Sequence, residues 1–463
     1  MSKLINDEFK NDPRILQAKK LLAQTLSEYQ DKITAVKPCD PQFQDIYQQC
    51  IDLLGKRRGR PLYFPYLASG IGNGPLVELA DGSVKYDFIT GIGVHYMGHS
   101  HPKILEACID AVLEDTVMQG NLQQNIKSIE LSDRLVSSAC ANGADLKHVF
   151  LTTSGAMANE NAFKIIFNRH APASRLLAFE RCFTGRSLST AQMTNKPEYR
   201  EGMPEVLKID YVPFFDEKDP AVSTEKAVKT LSSLIEKYPG EYAGMTFELI
   251  QGEGGYYPGE QNFFVTLMEV LKKNKIAVMI DEIQTFGRTR ELFAFQTFKL
   301  DSYVDVVTIG KMTQVCATLF SPDYNPKAAI LSQTFTGSTT AIYACLATLD
   351  EIQNGGYLGP AGKIEQLSNY FRVKLQNIAE KFSKKLKGPF GMGAMIGMTV
   401  FDGDLETTKI FIQELYEAGV LCFLAGKNPY RVRFLMPMAG VSKEDIDHVS
   451  RIISAVIEKL NKD

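Results

Sequence analysis

Residues 276–311, IAVMIDEIQTFGRTRELFAFQTFKLDSYVDVVTIGK, hold two short apolar, β-rich runs, Ile276 to Ile280 and Val304 to Ile309. Runs that are apolar on both faces mark parallel strands buried between layers of helix. The first run leads directly into Asp281 and the second into Gly310-Lys311. Ligands of an open α/β sheet gather beyond the carboxyl ends of its strands, so both charged residues are expected at the working edge. The fold class read from this stretch is α/β.

A lysine able to lose its proton at such an edge can form a Schiff base, and a neighbouring carboxylate can hold a ring nitrogen protonated. Pyridoxal 5'-phosphate (PLP) needs that pairing, because its capacity as an electron sink depends on the pyridinium form. Alone, the pair is a weak signal, because a strand-end Asp is often a helix cap and most lysines are solvated surface.

The string DEIQTFGRT, with a lysine behind the following strand, resembles the class III aminotransferases, a branch of the fold-type-I PLP enzymes. Further matches recur in the same order from about residue 70 to the C-terminus. The resemblance implies a large PLP-binding domain with a mostly parallel sheet and a small α/β domain built from both ends of the chain. The expected limits are 1–74 for the N-terminal part of the small domain, 75–343 for the large domain and 344–463 for the C-terminal part. In this family the lysine, here Lys311, carries PLP, the aspartate, here Asp281, faces the ring nitrogen, and Gln284 bonds the ring's 3-oxygen.

Composition narrows the alternatives. A chain of 463 residues with 44% hydrophobic content can bury one large core and a smaller one. A formal charge of −3 gives no general attraction to nucleic acid or anionic membrane. The eight cysteines are scattered, without CxxC or a His/Cys cluster, which points to reduced thiols in a cytoplasmic protein rather than a zinc site or disulfide framework. The start, MSKLINDEFKNDPR, is charged and lacks the apolar segment of a signal peptide, and no stretch approaches a membrane span. The basic run Lys56-Arg57-Arg58-Gly59-Arg60 reads as a solvated face or subunit contact.

Residues 75–101 alternate apolar and polar about Asp81-Gly82, a hairpin signal. The segment YDFITGIGVHYMGHSHPKI resembles the family's entry into the active site, with Ile92 at its substrate-facing position. Ornithine aminotransferases carry an aromatic there, so Ile92 leans toward the acetylornithine and 4-aminobutyrate groups. His95, His99 and His101 lack an accompanying acidic or thiol ligand, and His99 and His101 are expected to be structural, with no metal. Pro102 opens an amphipathic helix.

The stretch HVFLTTSGAMANENAFKIIFNRH reads as a strand turning through Ser154-Gly155-Ala156 into a helix, where backbone N–H groups can close on a phosphate. The family's SG-x-x-AN-E phosphate cup matches here, which makes Ser154, Gly155 and Ala156 the phosphate candidates by resemblance. After a strand at Leu176 to Phe179, CFTGRS matches the family's aromatic-His-Gly-Arg-Thr. The match implies that Phe183 lies over the PLP ring, that Thr184 replaces a His or Trp, and that Arg186 contacts a substrate carboxylate.

In FELIQGEGGYYPG, Glu248 and Glu253 stand five residues apart. Paired carboxylates also serve glycosidases, where their spatial separation decides the mechanism. The family string EP-x-Q-x-E-x-G instead makes Glu253 the residue that gates an arginine in the substrate pocket. Behind Lys311, MTQVCATLF departs from the family's glycine-rich tail, and GSTTAIYACLATL keeps Gly337-Ser338-Thr339 without the usual Gly-Gly-Asn-Pro. By resemblance Thr339 reaches the PLP phosphate of a neighbouring subunit, implying a homodimer with shared active sites. NPYRVRFLMPM matches Arg-Phe-x-x-Pro and places Arg433 as the clamp for an α-carboxylate, a bidentate geometry lysine cannot supply. Ser442 with Asp445 forms an S-x-x-D box ahead of the last helix.

The expected activity is PLP-dependent transfer of the ω-amino group of a small amine or amino acid, resembling acetylornithine, ornithine or 4-aminobutyrate, to 2-oxoglutarate. The expected partners are this donor and the 2-oxo acid. An aminomutase resembling the glutamate-1-semialdehyde enzyme is the alternative, separated by Arg433, which those enzymes lack. A non-catalytic protein keeping the fold is a third reading, opposed by the joint presence of Lys311, Asp281, Gln284, Thr339 and Arg433.

Overall fold

Seven strands form the central sheet: β1 (His148–Thr152), β2 (Arg175–Phe179), β3 (Lys208–Val212), β4 (Tyr242–Phe247), β5 (Ala277–Glu282), β6 (Val306–Ile309) and β7 (Cys316–Phe320). The computed structural model describes residues 4–115, 118–120 and 122–460. The strand order is β1-β7-β6-β5-β4-β2-β3. All are parallel except β7, which runs against both neighbours.

Side chains of these strands alternate between two apolar clusters, as the twofold repeat of a strand requires. Leu176, Ala178, Ala277 and Met279 enter one cluster with Phe163 and Ile166 of helix α1 (Gly155–His170). Leu177, Phe179, Val278 and Ile280 enter the other with Phe263, Leu267 and Leu271 of helix α2 (Gln261–Lys273). Covering both faces is what makes the strands read as continuous apolar runs. Each such fully buried side chain contributes roughly 1.5–3 kcal/mol.

Two strand limits differ from the sequence reading. The first run extends through Asp281 and Glu282, whose backbones pair with Thr308 and Ile309. The second starts at Val306 rather than Val304, because Asp305 turns its carboxylate onto the Val278 N–H at 2.8 Å. Asp281 therefore sits inside the strand, its backbone paired with Thr308 of β6.

The smaller sheets join distant parts of the chain. Strands Ala68–Asn73, Leu76–Leu79 and Val84–Asp87 form an antiparallel meander with the expected turn at Asp81-Gly82. Val420–Leu421 adds to it in parallel, beside Val84–Asp87. Leu386–Phe390, Met395–Val400, Phe423–Gly426 and Tyr430–Leu435 form a second, antiparallel sheet beside helices Lys363–Lys381 and Lys443–Lys459. Ser442 and Asp445 close the expected capping box. The expected boundary at 74/75 lies between two paired strands of the first sheet. The boundary at 343/344 falls inside helix α3 (Thr339–Asn354). Among the described residues no helix is long and apolar enough to cross a membrane.

Candidate active site

The carboxyl ends of β5 and β6 face one cavity of about 210 Å³, lined among others by Gly155, Ala156, Phe183, Thr184, Glu253, Asp281, Gln284 and Lys311. Eight side chains or backbones expected from the sequence thus meet at one place. Ser154, Ile92, Arg186, Thr339 and Arg433 are outside that lining.

Lys311 follows Gly310 at the end of β6 and opens a single 3-10 turn, Lys311–Thr313. Its φ of 54° is left-handed, an uncommon conformation for a residue with a side chain and one associated with functional sites. Burial pushes its ammonium below the usual lysine range, with Glu253 opposing that fall and Arg433 and Arg288 adding to it. Asp281 is buried, and burial raises its carboxyl to about 6 against the pull of the Ile283 N–H, Asn159 and Lys311.

Asn159 holds that carboxylate. Its side-chain N–H groups donate to Asp281 Oδ2 at 2.8 Å and to the Thr184 carbonyl at 2.7 Å, while its oxygen accepts from Thr308 Oγ1 at 2.8 Å. Three elements are thereby locked to one amide. Sequence reasoning quoted this asparagine without assigning it a task, although it lies four residues after Gly155 and so on the same face of α1.

At the opposite end Ser154 caps α1, its hydroxyl accepting the Met157 N–H at 3.2 Å. Gly155 and Ala156 present the first turn of that helix to the cavity, where N–H groups and the helix dipole favour an anion. Gln284 keeps a buried side-chain oxygen without a hydrogen-bond partner among the described residues. Phe183 stands half-buried with its N–H on Glu248 Oε2 at 2.8 Å. A carboxylate, an amine, an unsatisfied amide, an aromatic face and a helix N-terminus around one slot fit a flat heteroaromatic cation bearing a phosphate.

Arg433 is fully buried on the strand Tyr430–Leu435, and its Nη1 donates to Glu253 Oε1 at 2.6 Å. Burial alone would raise Glu253, but Arg433 and Lys311 outweigh it and hold the carboxyl below its ordinary value. Glu248 differs: burial, aided by Asp281, pushes it up to about 8.

The remaining candidates lie further out or are otherwise engaged. Thr184 spends its hydroxyl on the Thr190 carbonyl at 3.0 Å. Arg186 is exposed, its guanidinium 3.8 Å over the Tyr199 ring. Ile92 sits in four consecutive residues with positive φ, Thr90 to Gly93. That segment is held by Thr90 Oγ1 on the Leu435 carbonyl at 3.0 Å and by the Arg288 guanidinium on the Gly93 carbonyl. Arg288, a buried cation the sequence reading passed over, also donates to the Gln284 carbonyl at 3.1 Å. Thr339 is 1% exposed at the first turn of α3, so its side chain is buried in its own chain. His99 bonds Asp87 at 2.9 Å and His101 caps the helix Pro102–Val112, the structural roles expected of them.

Known proteins are similar to this chain over more than four-fifths of its length. The acetylornithine aminotransferase of Caldanaerobacter subterraneus is 28% identical over 408 residues, covering 84% of this chain and 94% of that protein. The mitochondrial acetylornithine aminotransferase of Saccharomyces cerevisiae is 27% identical over 400 residues, covering 83% and 90%. Among solved structures, the lysine aminotransferase of M. tuberculosis superposes with a TM-score of 0.77 at 23% identity, over 88% of this chain and 99% of that one. The ornithine aminotransferase of Toxoplasma gondii gives 0.76 at 20% identity, over 89% and 95%. The family model for aminotransferase class III matches residues 64–457. The chain belongs to the class III aminotransferases, enzymes of the PLP fold type I that depend on pyridoxal 5'-phosphate.

Proposed function

We propose that this aminotransferase moves the ω-amino group of a small amine or amino acid to 2-oxoglutarate, giving an aldehyde and glutamate. The observation that carries the reading is the Arg433–Glu253 pair at 2.6 Å beside Lys311. An ω-amine presents no carboxylate at its reacting carbon, whereas 2-oxoglutarate does. One pocket must therefore hide a cation and then show it. Glu253 neutralises Arg433 while the amine is bound and gives way to the carboxylate of the 2-oxo acid. The compounds after which the relatives are named, acetylornithine, ornithine and lysine, all carry a nitrogen at the far end of an amino-acid chain.

PLP supplies the electron sink that stabilises charge on the carbon losing its proton. In this reading Lys311 holds the cofactor and afterwards carries the proton at the substrate carbon. Asp281, aligned by Asn159, keeps the ring nitrogen protonated, and Gln284 bonds the ring's 3-oxygen. The amides of Gly155 and Ala156, with Ser154 capping them, take the phosphate, and Phe183 covers the ring with Thr184 behind it. Arg186 and Ile92 belong to the outer substrate channel.

We also propose a cytoplasmic homodimer. Support comes from exposed apolar side chains on adjoining helices, Leu21, Leu22, Val112, Ile126 and Ile129, together with Phe335. Where exposed apolar side chains gather in a patch, a partner commonly covers it. The test of function is a panel of ω-amines and α-amino acids assayed with 2-oxoglutarate for glutamate release. Turnover of ω-amines is expected, and turnover confined to α-amino acids overturns the reading.

A further inference from the structure

We infer that Glu248 is a positioning residue that holds Phe183 at a fixed distance from the wall carrying Gln284, and so sets the width of the slot for the cofactor ring. The inference rests on the proposed stacking role of Phe183.

Glu248 immediately follows β4 and is 8% exposed. Its two oxygens serve two different loops. Oε2 accepts the N–H of Phe183, on the loop after β2, at 2.8 Å. Oε1 accepts the N–H of Gly252, on the loop after β4, at 3.1 Å. Gly252 in turn lies against the Gln284 amide, since a Cβ there would meet Gln284 Oε1 at 2.7 Å. A second tie, Gln251 Nε2 to the Glu180 carbonyl at 2.6 Å, crosses between the same loops further out. One carboxyl group therefore connects the aromatic on one side of the slot to the amide-bearing wall on the other.

The residue type matters. A carboxyl group has two oxygens, and here each accepts one backbone N–H, so one side chain satisfies two donors at once. Glutamine keeps the size but has one acceptor, and its NH₂ group is brought against the second N–H. One buried amide is then left unsatisfied, and the loop that carries it shifts away. Released at Phe183, the ring loses its fixed separation from Gln284. Released at Gly252, the wall itself moves.

The test is PLP titration of the cofactor-free protein, followed by visible circular dichroism of the bound cofactor, for wild type, Glu248→Gln, Phe183→Leu and the double variant. Leaving one buried backbone N–H unsatisfied in a dry site is expected to weaken PLP binding ten- to about a hundredfold in Glu248→Gln, with diminished dichroism. In the Phe183→Leu background the same substitution is expected to cost less than about threefold, because contacting positions couple. An equal loss in both backgrounds, or no loss with Phe183 intact, overturns the inference. If Phe183→Leu alone leaves binding unchanged, the stacking role falls and this inference falls with it, which separates the two failures. Should Glu248→Gln not fold, Glu248→Asp is taken through the same comparison, with the carboxyl kept and the reach shortened by one methylene. A loss that again ignores Phe183 overturns the inference.

Discussion

Arg433 Nη1 donates to Glu253 Oε1 at 2.6 Å, and the same guanidinium keeps Nε and Nη2 buried without hydrogen-bond partners among the described residues. The cation is matched on one edge and unsatisfied on the other. Such a pair is poised to exchange one carboxylate for another, since a fully buried guanidinium needs an anion beside it. Arg433→Ala is expected to cripple the half-reaction with 2-oxoglutarate by roughly two orders of magnitude, as loss of a buried charge pair costs about 3 kcal/mol. The half-reaction with an ω-amine should suffer much less. Single-turnover cofactor absorbance, with amine alone and with 2-oxoglutarate alone, separates the two. Equal damage to both would make Arg433 structural and favour an aminomutase.

Glu253→Ala tests the other half of the pair. With its counter-ion removed, Arg433 stays exposed to the donor, and α-amino acids should gain over ω-amines in kcat/KM. An unchanged donor preference removes the gating role.

Asp281→Asn keeps the shape and discards the charge that stabilises a protonated ring nitrogen. Turnover is expected to fall by about 10²–10³, the usual loss when a preorganised electrostatic partner is removed from a closed site, with a modest change in KM for the amine. Asn159→Ala should give the same pattern more weakly, because it releases Asp281 Oδ2 without removing the carboxylate. Wild-type turnover in Asp281→Asn contradicts the role.

Glu248 gives a pH signature in the cofactor-free protein. Its carboxyl is raised from 4.5 to about 8 by burial and by Asp281. Below 4.5 both folded and unfolded chains carry the proton, so pH has no effect through this group. Between 4.5 and about 8 the unfolded chain has lost the proton that the folded chain keeps, and stability falls as pH rises. Glutamine does not titrate. The melting temperature of Glu248→Gln minus that of wild type should therefore climb across this window and level off above it. A flat difference contradicts a neutral buried carboxyl.

Gly252→Ala adds one carbon where Gln284 already stands, 2.7 Å from Oε1, at a position without a left-handed φ. The fold should survive, with PLP binding weakened several-fold on titration. Unchanged affinity would place Gln284 outside the cofactor's contacts.

Which parts of this site could be read in the sequence follows from what is local. Asp281 and Lys311 were legible because each directly follows an apolar run, and strand ends define the sheet's binding edge. The helix behind Ser154 was legible from its turn and cap. Glu253 and Arg433 are 180 positions apart, and only the family resemblance joined them. The make-up of the first sheet was hidden for a related reason: Val84–Asp87 looks local, but its outer partner is Val420–Leu421, far along the chain. Thr339 was legible from its string alone, and that string carries no information on its burial at a helix start. Asn159 and Arg288 act through contacts to other elements, and nothing in their neighbours announces those partners.

The central claim is that Lys311 bears the cofactor. Borohydride reduction of the PLP-loaded protein, followed by peptide mass mapping, tests it directly. The expected result is a stable pyridoxyl adduct on Lys311 alone, and a Lys311→Ala variant that still binds PLP through the helix N-terminus and Asp281 but has lost transamination. An adduct on another lysine, or near-normal transamination by Lys311→Ala, would contradict it.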